Sequence, residues 1–338
     1  MSGLSAADID ALFASLEGYD KLGLAVSGGP DSLALMLIAA QWARGRDKQL
    51  FVYTVDHALR PEAAQEVEMV VREATALGLP SRALRWEGDK PSTGIQAAAR
   101  AARYRLMADA MAKDGVDVLL TAHHLGDQGE TVLMRLAHGS GIDGLRGMDR
   151  VAFVEGCEVI RPLLSVRPEV LREIVAQSGL LPASDPSNTD TAYERVRWRL
   201  MLPSLEAQGI TLERLGTLAR RLHEASDLIH SEVEANYPRI VVPLSGASME
   251  LNAGRLAALN PAVASALLGT VLALVAGDRR SPPLGPLEVL TRRLQRGDRL
   301  KGQTLHGCLV SSDGDSILVR REPPRQAARK ATKAVIPN

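Results

Sequence analysis

The sequence predicts an α/β fold built on a doubly wound parallel sheet, followed by a helical module and a small C-terminal α+β element. Apolar runs at 22–26, 50–55 and 116–122 have the length and composition of strands that are buried on both faces. Helical patterns follow each run, and this alternation is typical of parallel strands joined by crossover helices. Polar clusters follow all three runs, at the edge of the sheet where ligands bind. The fold class therefore also predicts the position of the site.

Local patterns give the remaining elements. An acidic amphipathic helix opens the chain, apolar residues recur at helical spacing between 67 and 77, and a weaker strand is expected at 82–86. Later helices are predicted at 95–111, 128–137, 170–175, 211–236 and 262–277, and a further helix carries Arg195 and Arg199. A Gly-rich loop is expected at 139–147 and a turn at 184–188. Near the end of the chain, 304–310 and 316–320 are predicted to form a hairpin around Asp313-Gly314. The predicted domains are a catalytic domain at 1–208, a helical module at 209–280, a small α+β region at 281–322 and a disordered basic tail at 323–338.

Composition restricts the function classes. The chain has 338 residues, 46% hydrophobic, with a net charge of +0, so contacts with a polyanion must come from local patches such as the basic segment 279–301. Aromatic residues make up 3%, too few for an extended base-stacking surface. Cys157 and Cys308 are far apart, which indicates neither a disulfide framework nor a Cys-x-x-Cys site and favours a reducing compartment. We expect a cytoplasmic protein without a membrane span, since the most apolar run, 262–277, is too short to cross a bilayer.

The stretch SGGPDS, residues 27–32, joins the first strand to its helix. Gly28 and Gly29 allow backbone conformations that other residues avoid, while Pro30 and Asp31 favour a first helical turn. Such a turn directs unpaired N–H groups at one point and suits a phosphate, although any strand-to-helix turn can use Gly and Ser without a ligand. No Lys follows as in the Walker pattern. The hexamer resembles the signature of the PP-loop ATP pyrophosphatases, which bind ATP through its pyrophosphate and release AMP and pyrophosphate.

Adenylation of a substrate, which this resemblance implies, needs a divalent cation and a cationic group near the α-phosphate. Asp31 and Asp127 are the carboxylates available for Mg²⁺. His123 and His124 could contact phosphate or act as a general base. Paired His also allow a zinc site, but cysteines are distant and carboxylates are close, which favours magnesium.

Further motifs narrow the resemblance to one family, the tRNA(Ile)-lysidine synthases. They are VDHALR at 55–60, QAAARAARYR at 96–105, TAHHLGDQGET at 121–131, GSGIDGL at 139–145, RPLL at 161–164, DPSN at 185–188 and TLHGC at 304–308. The resemblance is strong over about 20–205 and faint beyond. It implies the adenine nucleotide α-hydrolase-like fold, the substrates ATP and L-lysine, and a tRNA(Ile) with a CAU anticodon. A homodimer is left open.

The resemblance also implies roles for individual residues. His124, Asp127 and Glu130 would bind lysine or Mg²⁺, Arg103 would face the α-phosphate, and two arginines would close over the site. Those arginines are Arg195 and Arg199. ATP would contact Ser27, Gly28, Gly29, Pro30, Asp31 and Ser32 through its pyrophosphate and Val55, Asp56 and His57 through its adenosine.

Two positions depart from the family pattern. Gly126 stands where the family has the first of two consecutive Asp, and Val196 stands where it has Asn after Arg195. The missing carboxylate predicts a higher requirement for Mg²⁺ or lysine, which Gly126→Asp would lower unless the two adjacent carboxylates repel each other or the backbone at 126 tolerates Asp poorly. Three alternatives remain: a tRNA thiolase, a ligase for a small metabolite, and a nucleotide-binding module without catalysis. The first would need a catalytic cysteine pair or an iron–sulfur site, and neither cysteine lies in the motifs between residues 27 and 145.

Overall fold

The structure is a computed structural model that describes residues 3–59, 62–183, 190–278 and 280–323. Two predictions, the turn at 184–188 and nearly all of the basic tail at 323–338, lie outside the described residues. The chain divides into two compact units, Met1–His223 and Glu224–Asn338. We describe each unit by itself; the four predicted domains stay a prediction.

Unit 1 contains the predicted sheet. Its six strands have the order β3-β2-β1-β4-β6-β5, all parallel except β5, which pairs antiparallel with β6 at one edge. The strands are β1 (Lys21–Ala25), β2 (Gln49–Asp56), β3 (Ser81–Arg85), β4 (Val118–Leu120), β5 (Val151–Val154) and β6 (Cys157–Ile160). The doubly wound parallel sheet is therefore confirmed, and the sequence missed only its last two strands.

Helices cover both faces of this sheet. The helices that lie wholly in unit 1 are α1 (Ala6–Phe13), α2 (Pro30–Ala43), α3 (Ala63–Ala76), α4 (Ile95–Asp114), α5 (Leu125–Ala137), α6 (Ile142–Leu145), α7 (Pro168–Ser178) and α8 (Glu194–Ala207), with a 3₁₀ turn at Ala14–Leu16. One core places Leu22 and Leu24 of β1 against α1, α2 and α7, and a second places Tyr53 and Leu119 against α4. Strand residues alternate between the two cores, as a sheet covered on both faces requires.

The predicted Gly-rich loop at 139–147 contains a helical turn, α6. The guanidinium of Arg135 on α5 donates from Nη1 to the carbonyl oxygens of Gly144 and Gly147, both at 2.6 Å. The side chain of Gln128 also bonds to the backbone N and O of Met148. This segment is thus tied to α5, close to the cluster that follows β4.

Unit 2 combines helices with a five-stranded antiparallel sheet of order β7-β8-β11-β10-β9. The boundary between the units falls within α9 (Leu212–Ile240); the later helices are α10 (Ala253–Ala257), α11 (Pro261–Ala276) and α12 (Leu284–Gln295). The strands are β7 (Val241–Leu244), β8 (Ser248–Asn252), β9 (Leu300–Leu305), β10 (Cys308–Ser312) and β11 (Ser316–Arg321). The sequence separates 209–280 from 281–322, whereas one hydrophobic core here includes residues of both segments.

The predicted strand at 304–310 is in fact split. His306 and Gly307, with φ values of 51° and 70°, form a tight turn between β9 and β10. Two consecutive positive φ values match the type of turn that the right-handed twist of hairpins favours. The second predicted run, at 316–320, is confirmed as β11, which pairs with β10 across the turn at Asp313-Gly314. Among the described residues, no helix is both long and apolar enough to cross a membrane.

Candidate active site

The carboxyl ends of β1, β2 and β4 open onto one cavity of about 910 Å³ in unit 1. The polar clusters that the sequence places after these strands meet there. Its lining includes Ser27, Gly29, Pro30, Asp31, Ser32, Val55, His57, Arg103, His123, His124, Asp127, Glu130, Arg195 and Arg199. Two other predicted site residues, Gly28 and Asp56, are not part of the lining. The carboxylate of Asp56 instead accepts the N–H of Ala58 at 2.7 Å, within its own loop.

The glycine turn presents the beginning of α2 to the cavity. Gly28 has a φ of 86°, which favours glycine, and a Cβ there would lie 3.0 Å from the flexible end of Met69. Gly29 is the N-cap of α2, and no described side chain caps the helix. Ser32 Oγ accepts the N–H of Ser27 at 3.1 Å and donates to the Gly29 carbonyl at 2.9 Å, so it stabilises the turn itself. The N–H groups of the first turn are thereby available for an anion.

His124 lies between two carboxylates at the start of α5. Its Nε2 is 3.4 Å from Asp31 Oδ2, and its Nδ1 is 3.6 Å from Asp127 Oδ2. His124 also caps the helix: its ring Nδ1 accepts the N–H of Asp127 at 3.3 Å, while its own N–H donates to Asp127 Oδ2 at 3.0 Å. This cap starts the helix at Leu125, three residues before the predicted start. Asp127 is therefore fixed in the first turn.

The charges around His124 shift its pKa. Burial alone would lower the pKa of His124, but the hydrogen bond to Asp31 and the charges of Asp127, Asp31 and Glu130 raise it. Burial opposes ionisation of Asp127, yet the two neighbouring histidines and the His124 N–H lower its pKa. The arrangement therefore favours a charged carboxylate at 127 beside a ring that readily accepts a proton.

Glu130, one turn further along α5, is a second buried carboxylate. Its side chain is 1% exposed and meets two guanidinium groups of α8, with Arg199 Nε at 2.7 Å and Arg195 Nε at 3.1 Å. Burial raises the pKa of Glu130, and the two arginines act against that shift. Arg195 also donates from Nη2 to Thr131 Oγ1 at 3.1 Å. Two positive charges one helical turn apart repel each other, and here Arg195 and Arg199 are both paired with the same carboxylate.

His123 has different neighbours from His124. Thr121 Oγ1 lies 2.9 Å from its Nδ1. Burial, together with the nearby arginines, lowers the pKa of His123 to about 4, although Asp127 acts in the opposite direction. His123 is therefore neutral at pH 7 and can serve there as a hydrogen-bonding group, whereas His124 can carry charge.

Two arginines of α4 reach the cavity without a carboxylate partner among the described residues. Arg103 and Arg100 lie one helical turn apart, each with its guanidinium carbon over the ring of Tyr104, at 5.3 and 5.2 Å. Burial lowers the pKa of Arg103, and the charge of Arg100 adds to this effect. Sequence reasoning singled out Arg103 and missed Arg100, although the spacing of three residues in QAAARAARYR was the available signal.

His57 contributes an unsatisfied polar atom to the cavity wall. Its buried Nδ1 has no hydrogen-bond partner in the described chain, and burial and Arg103 lower the pKa of the ring. The Trp86 ring approaches it edge-on at 6.3 Å between centroids. Because a buried polar atom normally finds a partner, this nitrogen is suited to a ligand near the end of β2.

The donor set fits a magnesium ion held together with phosphates. Among the described residues, no group of three or more His, Cys, Asp or Glu side chains is placed to hold a metal ion. Mg²⁺ is, however, commonly bound by one or two carboxylates plus substrate phosphates. The Asp31 carboxylate, 39% exposed, lines the cavity beside the glycine turn, and Asp127 lies on the other side of the His124 ring.

Comparisons with known proteins place these features in context. The PP-loop domain family matches residues 3–205. The chain is 42% identical over 340 residues to a tRNA(Ile)-lysidine synthase of Rhodopseudomonas palustris, covering 96% of both chains. It is 44% identical over 311 residues to one of Methylobacterium nodulans, covering 90% of this chain and 91% of that one. Among solved structures, the chain is similar to the U34-tRNA thiolase NcsA from Methanococcus maripaludis with its [4Fe-4S] cluster, with a TM-score of 0.56. The match covers 65% of this chain and 78% of that chain at 14% identity, so it shows a similarity of fold.

Proposed function

We propose the function of this chain from one premise: it belongs to the tRNA(Ile)-lysidine synthase family and carries that family's PP-loop domain. It is a ligase that forms a carbon–nitrogen bond, joining L-lysine to C2 of the wobble cytidine of a tRNA(Ile) with a CAU anticodon. ATP is consumed and AMP and pyrophosphate are released. A tRNA substrate also implies that the protein works in the cytoplasm.

One observation of the structure supports this function most directly. A glycine turn with an uncapped helix and Arg103, a cation without a carboxylate partner in the described chain, line the same cavity. The turn suits the β- and γ-phosphates, and the guanidinium suits charge that develops at the α-phosphate. This pairing favours attack at the α-phosphorus, the step that releases pyrophosphate.

The first half-reaction activates the base. The C2 oxygen of cytidine forms a bond to the α-phosphorus, the bond from that phosphorus to the bridging oxygen breaks, and pyrophosphate leaves. In this proposal the turn at residues 27–32 binds the pyrophosphate, and Arg103 stabilises the charge on the α-phosphoryl oxygens. Asp31 and Asp127 would hold Mg²⁺, which would neutralise part of the charge of the phosphates. The adenosine lies along Val55 and His57, whose free Nδ1 gains a partner.

The second half-reaction joins lysine. The ε-amine of lysine forms a bond to C2, the C2–O bond breaks, and AMP leaves with the oxygen. The amine must lose a proton to attack, and Asp31 and His124, 3.4 Å apart, are groups at the cavity that can accept one. Arg195 and Arg199, with side chains 41% and 44% exposed, can bind the carboxylate of the amino acid.

A direct test uses purified protein with ATP, labelled lysine and a transcript of the CAU-anticodon tRNA. We expect label in the RNA, with AMP and pyrophosphate as the nucleotide products. A transcript in which uridine replaces the wobble cytidine is the matched control and should stay unlabelled. ADP as the product, or equal labelling of both transcripts, would contradict the proposal.

The tRNA thiolase alternative has no support in the described chain. Both cysteines are buried, Cys157 in unit 1 and Cys308 in unit 2, and burial raises the pKa of the Cys157 thiol to about 11. A buried thiol that stays protonated is neither a nucleophile nor a cluster ligand at neutral pH.

A further inference from the structure

Gly126 occupies a position where any side chain would collide with His124. It is the second residue of α5, and a Cβ built there would lie 2.8 Å from His124 Cε1, 3.0 Å from His124 Nδ1 and 3.5 Å from Pro168 Cγ. Its φ is not in the left-handed region, so its backbone does not require glycine. The requirement for glycine is therefore one of space, and the ring of His124 fills that space.

The His124 ring has little freedom to move away. Its side chain is 8% exposed, and the ring contacts Asp31 at one nitrogen and Asp127 at the other. It also accepts the Asp127 N–H and so caps α5. A Cβ at 126 would push the ring out of this position and would weaken three contacts together.

We propose that Gly126 is a positioning residue for the ligation reaction: its missing side chain admits the His124 ring between Asp31 and Asp127. This inference rests on the proposed function. The ring orients the Asp31 carboxylate in the cavity, beside the glycine turn. In this chain an imidazole thus occupies the space next to Asp127 where the family pattern places a second carboxylate.

For Gly126→Asp, the structure leads us to expect the opposite of the lower Mg²⁺ or lysine requirement that the sequence suggests. That substitution adds the missing carboxylate, but its Cβ displaces His124 and separates the ring from Asp31 and Asp127. We therefore expect lower activity, with no reduction in the requirement for Mg²⁺ or lysine. A lowered requirement at unchanged or higher activity would overturn the proposal.

Melting temperatures of a set of variants test the proposed collision between residue 126 and His124 without an activity assay. Gly285 is the matched control, because it is the second residue of α12 and a Cβ there meets nothing within 4 Å. Gly285→Ala should leave Tm unchanged or raise it by about 1–3 °C, since alanine reduces the freedom of the unfolded chain. Gly126→Ala should lower Tm. A Gly126→Ala variant as stable as Gly285→Ala would overturn the proposal.

Gly126→Ala in a His124→Asn background tests whether the imidazole ring is the group that a Cβ at 126 meets. Asn is a good N-cap residue and keeps an acceptor for the Asp127 N–H, but it has no ring to collide with a Cβ at 126. In this background Gly126→Ala should no longer lower Tm and should behave like Gly285→Ala. An equal loss of Tm in both backgrounds would show that the collision involves another group, such as Pro168, and would overturn the proposal.

Kinetics test the functional part. Gly126→Ala should lower kcat about tenfold and leave the KM for tRNA unchanged, because a small misplacement of reacting groups affects the chemical step. An equal kcat, or a change confined to the KM for tRNA, would contradict a positioning role. If the wild-type protein transferred no lysine to tRNA, the proposed function would fail, while the melting temperatures would still decide whether Gly126 makes room for His124.

Discussion

Arg199 of α8 donates two hydrogen bonds to Glu130 of α5, from Nε to Oε1 at 2.7 Å and from Nη2 to Oε2 at 3.3 Å. The carboxylate is 1% exposed, so it depends on this pairing for its charge. Arg195 approaches the same carboxylate at 3.1 Å. The cluster holds α8 against α5 and leaves two half-exposed guanidinium groups at the cavity, which we propose to be the site for the carboxylate of lysine.

Glu130→Gln should therefore lower both activity and stability. Glutamine keeps the size of the side chain but removes the charge that Arg195 and Arg199 meet; both arginines are more than 40% exposed, so the cost is that of a hydrogen bond to a charged group, about 1.5–3 kcal/mol. We expect kcat/KM for lysine to fall by about 100-fold, because the two guanidinium groups lose their position at the cavity, and we expect the free energy of unfolding to fall. The control is Glu194→Gln, which removes a partly exposed pair with His138 and should change stability by less than about 1 kcal/mol. Equal effects of the two variants on lysine kinetics would contradict this role.

Arg103→Gln tests the proposed contact with the α-phosphate. Because the guanidinium has no carboxylate partner in the described chain, removing its charge leaves no buried anion behind, and we expect stability to be maintained. Loss of one group that stabilises transition-state charge lowers kcat by about 10²–10³-fold. Arg105 lies on the same helix but pairs with Glu155 at 3.8 Å and does not line the cavity, so Arg105→Gln should retain activity. Comparable losses in the two variants would refute a specific role for Arg103.

Glu213 gives a prediction of pH dependence. Its hydrogen bond with Arg167 lowers the pKa of Glu213 from 4.5 to about 2, although burial acts in the opposite direction. Since the folded pKa is below the unfolded one, the stabilisation is complete above pH 4.5 and is lost as the pH falls towards 2. Both side chains are about half exposed, so the contribution is about 1 kcal/mol rather than the full value of the shift.

Urea unfolding at several pH values between 7 and 2 measures this contribution. Glu213→Gln should lower stability at pH 7 and make the decline between pH 4.5 and 2 shallower. The Arg167→Gln variant should show the same shallower decline, because it removes the other partner. An unchanged slope in either variant would mean that the pair does not contribute to acid sensitivity.

Much of unit 1 could be predicted because its signals are local. Buried parallel strands read as continuous apolar runs, and the polar clusters after β1, β2 and β4 identified the edge where the cavity lies. The start of α5 was placed too late, since Gly126 weakens the helical pattern and a histidine is not a usual N-cap. The cap depends on the ring geometry of His124, which no local pattern reveals.

The sheet of unit 2 shows what sequence patterns could not give. Strands β7 and β8 pair with each other, and β8 also pairs with β11, more than 60 residues later along the chain. Pro243 argues against a strand, yet β7 is an edge strand, where a missing N–H is tolerated. Pairing between distant segments, and not propensity, forms this sheet.

Arginines of α12 provide a test of tRNA binding by unit 2. Arg292 and Arg296 are exposed, and no described carboxylate lies within ion-pair distance of either. Arg293 instead pairs with Asp298 at 3.1 Å and donates a hydrogen bond to Gln303 at 2.9 Å. Because its substitution would disturb these contacts within unit 2, Arg293 is kept unchanged in the variant. The double variant Arg292→Glu and Arg296→Glu should weaken tRNA binding, make its salt dependence shallower and leave ATP binding unchanged.

Filter binding at several salt concentrations measures the affinity for tRNA, and a separate titration measures ATP. The control is Arg320→Glu, a substitution of an exposed arginine on β11 of the same unit. Loss of affinity for tRNA and ATP to the same degree, or no loss at all, would show that this face of α12 does not contact the RNA.

We propose that this protein attaches lysine to one base of one tRNA and consumes ATP in doing so. Mass spectrometry of nucleosides from the CAU-anticodon tRNA, after incubation with purified protein, ATP and lysine, measures this directly. We expect the wobble cytidine to gain the mass of lysine less one water, in one-to-one proportion with the AMP formed. A wobble cytidine of unchanged mass while AMP accumulates, or a modified base formed without AMP, would contradict it.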